Sequence, residues 1–180
     1  MGGYAMAVSK VELVVLGLLA EGPRYGYELL ERFRERGMDL WAEVGRASVY
    51  QALQRLEREG ALAGRQQDGS GGPDRRVYRI TSTGRARLRA GLREQARRQP
   101  LPLGFLHLVP ADEAARVIAT RAEALEDRRG QIAAARERLA AAADPANGLA
   151  LRLLELQEAL AEVERRWLEG LGRDAVAVRR

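Results

Sequence analysis

Ala47, Gln51 and Gln54 stand four and three residues apart, a spacing that puts them on one face of a helix. A glutamine amide offers a donor and an acceptor side by side and can bond an adenine edge bidentately, and an alanine methyl can meet the methyl of thymine. Further on, Arg75 and Arg76 follow the run Gly69-Ser70-Gly71-Gly72-Pro73-Asp74, so two guanidinium groups ride on a glycine-rich turn. Such groups are drawn to the negative potential of a nucleic-acid groove. The chemistry on offer is recognition of bases and phosphates, not the making of bonds.

Other chemistries lack their parts. There is no cysteine, hence no disulfide, thiolate nucleophile or cysteine-bound zinc, and His107 is the single histidine, too little for a metal site. No cofactor is expected. Asp112, Glu113, Glu123, Glu126 and Asp127 are spread along a charged helix as on a solvated face, and no nucleophile stands paired with a base. A nucleotide-binding glycine loop would follow a strand and open a helix, whereas Val77-Tyr78-Arg79-Ile80 reads as another strand. No apolar run approaches the roughly 20 residues that cross a bilayer, and the N-terminus lacks the pattern of a signal peptide. No membrane partner and a cytoplasmic location are therefore expected.

The elements that must carry the recognition residues follow from periodicity. Over 46–59, Leu53 and Leu56 fall within about 40° of Val49, while Ala47, Gln51, Gln54 and Arg58 lie opposite, at about 140–200°. Ser48 and Tyr50 flank that face and offer hydroxyls to phosphates near the helix start. Gly60 stops the helix, and strands over 61–67 and 77–80 make a hairpin around the basic turn. Upstream, a helix over 10–20 capped by Ser9 or its neighbours is apolar on most sides, and Glu21-Gly22-Pro23 ends it. A second helix over 25–36 is expected to bury Tyr27, Leu30 and Phe33. The stretch 38–44, with Leu40 and Trp41, reads as a third strand of the sheet. Thr81 caps a helix over 82–99, and Pro100-Leu101-Pro102 closes the domain.

Charge is concentrated in the same region. The net charge is +5 overall, but residues 60–99 hold 10 Lys+Arg against 3 Asp+Glu, while the segments before and after are each close to neutral. A basic segment within a balanced chain suits phosphate binding, because each neutralised phosphate releases counterion.

Beyond Pro110 the pattern changes. Ile118, Leu125, Ile132 and Leu139 recur every seventh residue in a helix that Asp112 can cap. After the turn at 144–148, Leu149, Leu153, Leu156, Leu160, Val163 and Trp167 recur at spacings of 4, 3, 4, 3 and 4, a coiled-coil seam. A helical hairpin with two apolar stripes predicts a homodimer. The fold class is mostly α with a small β-wing: a winged helix-turn-helix followed by a C-terminal antiparallel helical hairpin. The organisation is a flexible arm over 1–9, a DNA-binding domain over 10–99, a connector over 100–109 and a dimerisation domain over 110–180.

Three motifs carry a resemblance. Leu16-Gly17-Leu18-Leu19 precedes Glu21-Gly22-Pro23-Arg24-Tyr25-Gly26-Tyr27-Glu28-Leu29; Ser48-Val49-Tyr50-Gln51-Ala52-Leu53 leads to Leu56-Glu57-Arg58-Glu59-Gly60; and Gly71-Gly72-Pro73-Asp74-Arg75-Arg76-Val77-Tyr78-Arg79-Ile80-Thr81 precedes Gly84. In this order the chain resembles the PadR family of bacterial transcriptional regulators, in its longer branch with C-terminal dimerisation helices. The resemblance implies a repressor on an inverted-repeat operator in double-stranded DNA, released by a small, often aromatic, effector. It implies DNA contacts from Ser48, Tyr50, Gln51, Arg75 and Arg76, with Tyr50 on the phosphate backbone; Arg46, Ala47 and Gln54 complete the candidate DNA-binding residues. Gln51 departs from the family, where proline is common, and Val49 stands where leucine is usual. Trp41, Phe105, His107 and Trp167 are the aromatic side chains that could line an effector pocket. The competing reading is a protein-docking scaffold without sequence-specific DNA binding.

Overall fold

The computed structural model describes residues 7–38, 42, 44–66, 76–142 and 144–177, with backbone alone for 145 and 172–177. The chain divides into two compact units, Met1–Pro110 and Ala111–Arg180. Among the described residues no helix is long and apolar enough to cross a membrane.

The first unit is built around α1 (Lys10–Ala20). Ser9 Oγ accepts the Glu12 N–H at 3.2 Å, and the Glu12 carboxylate accepts the Ser9 N–H at 2.8 Å. This reciprocal pair satisfies donors that a helix start leaves unpaired. Every residue from Glu12 to Leu19 is buried, so the helix is wrapped on all sides. Then come β1 (Arg24–Tyr25), α2 (Gly26–Glu35), α3 (Arg46–Arg58), β2 (Leu62–Gln66), β3 (Arg76–Ile80) and α4 (Ser82–Ala96). The sheet is antiparallel in the order β1-β3-β2, with Arg24 opposite Tyr78, Leu62 opposite Ile80 and Gln66 opposite Arg76. This is the expected winged helix-turn-helix.

Three expectations need correction. The third strand is Arg24–Tyr25, not 38–44. Of that stretch Met38 and Ala42 are described beside Val44; the Ala42 N–H bonds the Met38 carbonyl at 2.7 Å, and both side chains are buried. Leu40 and Trp41 lie outside the described residues. Tyr27 is 48% exposed rather than buried. The inward face of α2 is set by Leu29, Leu30 and Phe33, and at about 100° per residue Tyr27 falls some 110° from its centre. Tyr27 stacks instead on Tyr25, with ring centroids 5.5 Å apart. The segment expected as a connector is a 3-10 stretch, Leu101–Leu108, whose Leu101, Pro102, Leu103 and Phe105 are buried in the first unit. Phe105 is seated directly on α1, where a Cβ on Gly17 would lie 2.4 Å from its ring.

The second unit is a hairpin of α5 (Ala111–Ala141) and α6 (Gly148–Ala177) around the turn Pro145–Asn147. Asp144 Oδ1 accepts the Ala146 N–H, and Asn147 Nδ2 donates to the Leu139 carbonyl, so the turn is tied to the helix before it. Asp112 stands within the first turn of α5 rather than ahead of it and pairs with Arg116 at 2.7 Å. Val117, Leu125, Ile132, Ala161 and Leu168 form the apolar strip of the unit. Flanking it, Arg121 grips Glu164 through two bonds of 2.6 and 2.7 Å, Arg128 reaches Gln157 at 2.8 Å, and Arg136 pairs with Glu158. Of the heptad on α5, Leu125 and Ile132 are buried within the hairpin, and Ile118 and Leu139 are half-buried.

Candidate nucleic-acid interface

Helix α3 presents the face that its spacing predicts. Val49, Leu53 and Leu56 are wholly buried, and Ala52 nearly so. Arg46, Ala47, Gln51, Gln54 and Arg58 are exposed, with Ser48 and Tyr50 half-buried beside them. Tyr50 is held by its ring: a Cβ on Gly26, at the start of α2, would lie 3.1 Å from Tyr50 Cε1. The ring therefore rests on the second helix across a position that only glycine leaves so open.

Behind this face the helix is fastened from its C-terminal half. Arg55 pairs at 2.9 Å with Glu12 of α1, a carboxylate 2% exposed. Arg87 of α4 also reaches Glu12, at 3.4 Å, and pairs with Glu59. Glu57 accepts the Gly64 N–H of β2 at 3.0 Å and the Arg76 Nε of β3 at 3.1 Å. A buried carboxylate demands partners of this kind, so Glu12 inside an apolar helix was the sequence signal for the network.

The wing changes the expected roles. Arg75 and the tip, 67–75, lie outside the described residues. Arg76 belongs to the Glu57 pair, whose hydrogen bond and charge raise the guanidinium pKa further. Arg65 and Arg79 were not singled out from sequence. The register sets Ala63 opposite Arg79 and Arg65 opposite Val77, so both arginines share one face of the hairpin with Ala63 and Val77, and both are exposed.

Three of the four aromatic candidates lie among the described residues. Phe105 is fully buried against α1 and has no surface left for a ligand. His107 is half-exposed, 3.3 Å from Glu21, whose carboxylate also faces Arg24, Arg32 and Arg36. Trp167 is an exposed residue of the second unit, and Trp41 is outside the described residues. Among the described residues no His, Asp and Glu cluster could hold a metal ion.

The model of the transcriptional regulator PadR-like family matches residues 15–90, which contain α2, α3 and the whole sheet. The chain belongs to the PadR-like family. It is a winged-helix, DNA-binding transcriptional regulator rather than an enzyme. Uncharacterized protein X of Lysinibacillus sphaericus is 34% identical over 86 residues, 48% of this chain and 78% of that one. Among solved structures, Bacillus subtilis PadR in complex with operator DNA is 19% identical, with 93% of this chain and 99% of that chain covered and a TM-score of 0.43. Bacillus subtilis PadR in complex with p-coumaric acid is 20% identical over 90% and 93% of the two chains, with a TM-score of 0.39. The protein smu.1604c of Streptococcus mutans UA159 is 17% identical over 88% and 96%, with a TM-score of 0.40.

Proposed function

We propose that this PadR-like regulator acts as a homodimer on an inverted-repeat operator, as a repressor of neighbouring genes that a small effector releases. The observation that carries the reading is the division of α3: amides and a methyl exposed near its start, and charges tied inward near its end. Gln51 and Gln54 read base edges in the major groove. Tyr50 and Ser48 hold phosphates, and Arg65 and Arg79 supply cations on the wing.

The dimer is supported by α6. Leu149, Leu153, Leu156, Leu160, Val163 and Trp167 are all more than half exposed, from 52% to 81%. At about 100° per residue this seam is centred some 120° from the line of Ala161 and Leu168 that packs in the hairpin. Covering six such side chains is worth on the order of 1 kcal/mol each, and monomers rarely leave so long an apolar strip in water. A second copy, bringing the same seam, forms the coiled coil.

A gel shift of the purified protein on the DNA upstream of its own gene, against competitor DNA, tests the reading. Preference for the upstream fragment with a complex of two chains is expected; equal binding to all DNA would favour the docking scaffold instead.

A further inference from the structure

One oxygen, Glu57 Oε1, accepts three hydrogen bonds from the wing: from Gly64 N–H at 3.0 Å, from Arg76 Nε at 3.1 Å and from Arg76 Nη2 at 2.5 Å. Gly64 is on β2, Arg76 is on β3 and Glu57 is on α3, so a single carboxylate joins the reading helix to both strands of the hairpin. The junction is tight. A Cβ at position 64 would lie 2.3 Å from Glu57 Oε1 and 2.4 Å from Arg76 Nε, so the contact exists only because that residue has no side chain. Charge-assisted bonds of this kind are short and directional. They fix an angle as well as a distance.

Glu57 takes two of the five guanidinium N–H donors of Arg76 and offsets its charge, which weakens its pull on a phosphate. We propose that Glu57 and Arg76 form a latch setting the wing against α3, and that both are positioning residues for DNA binding rather than contacts to it. Gly64 is the residue that admits the latch. The inference rests on the proposed reading that α3 and the wing engage the same duplex.

The two roles for Arg76 differ in sign at its partner. If Arg76 touches phosphate, removing the Glu57 carboxylate removes a negative charge near DNA and binding tightens. If the pair is a latch, the same change frees the wing and binding weakens. The test compares the full-length wild type with Glu57→Ala, Arg76→Ala and the double variant. Fluorescence anisotropy on the upstream DNA fragment across a salt series is combined with hydrogen exchange of the Gly64 amide in the free protein. The latch predicts that each single variant weakens binding about tenfold and that the double variant is no worse than either, as for coupled residues. It also predicts an unchanged salt slope, and a loss of Gly64 protection while the amides of α1 keep theirs. Tighter or unchanged binding by Glu57→Ala, with a slope lower by about one for Arg76→Ala, would make Arg76 a phosphate contact and overturn the latch. Gly64 protection unchanged in both variants would also overturn it. A wild type with no preference for the upstream fragment would sink the operator reading alone, and the exchange arm would still decide the latch.

Discussion

Glu12 gathers more of the first unit onto one side chain than any residue on the recognition face does. It caps α1 through Ser9 and meets Arg55 of α3 and Arg87 of α4 while buried. Glu12→Ala removes the cap and both pairs while Arg55 and Arg87 keep access to water, and urea denaturation should show a loss of about 1–2 kcal/mol. Gln51→Ala, by contrast, should leave the urea midpoint unchanged and relax the preference at one base position, by about 1–3 kcal/mol in a panel of substituted operators. Arg65→Ala and Arg79→Ala should weaken binding to all sequences alike, each lowering the salt slope by about 0.9. The amide face of α3 was legible in the sequence because burial has a period that three apolar positions, Val49, Leu53 and Leu56, declare. The pairing of Arg76 with Glu57 was not legible because its partner lies 19 residues away, in another element, where no local pattern records it.

Among the elements, those with caps and periodicity were readable. Helix α1 has the bounds its pattern predicts, and Ser9 and Thr81 cap their helices as expected. Strand β1 was not readable, since two residues contain no alternation; only their pairing with Tyr78 and Val77 makes them a strand. The hairpin shows a second limit: an apolar heptad reveals that a stripe must be buried but not what buries it. Both helices carry stripes, and the one on α5 is spent within the unit while the seam on α6 is left outward. Leu156→Glu with Leu160→Glu should therefore convert dimer to monomer in analytical ultracentrifugation while helical content persists. The hairpin also has an acid-sensitive joint. Arg165 and Arg166 hold the Glu162 carboxylate down at about 2, from an ordinary 4.5, and Arg129 of α5 lies 3.8 Å from it. A lowered folded pKa means that this contribution is complete above pH 4.5 and is lost as pH falls toward 2. Acid titration followed by circular dichroism should show a shallower loss of helix over that range for Glu162→Gln than for the wild type.

At the scale of the whole molecule, the proposed dimer would set two reading helices on one duplex, so that binding is bivalent and the second half-site is engaged at a high effective concentration. The seam variant should lose operator affinity far more than any single change on α3, with a binding curve fitted by one half-site. The net charge works in the same direction without choosing a sequence: +5 overall draws the protein to any duplex, and on the proposed reading discrimination rests on Gln51 and Gln54. That helix is fastened at Arg55, Glu57 and Glu59 and reads with residues that stand mostly in the turns before them. The side chains that hold it are not the ones that choose the DNA. Specificity can therefore drift without passing through unfolded intermediates: a library randomised at positions 47, 51 and 54 should yield proteins that melt together and sort onto different operators.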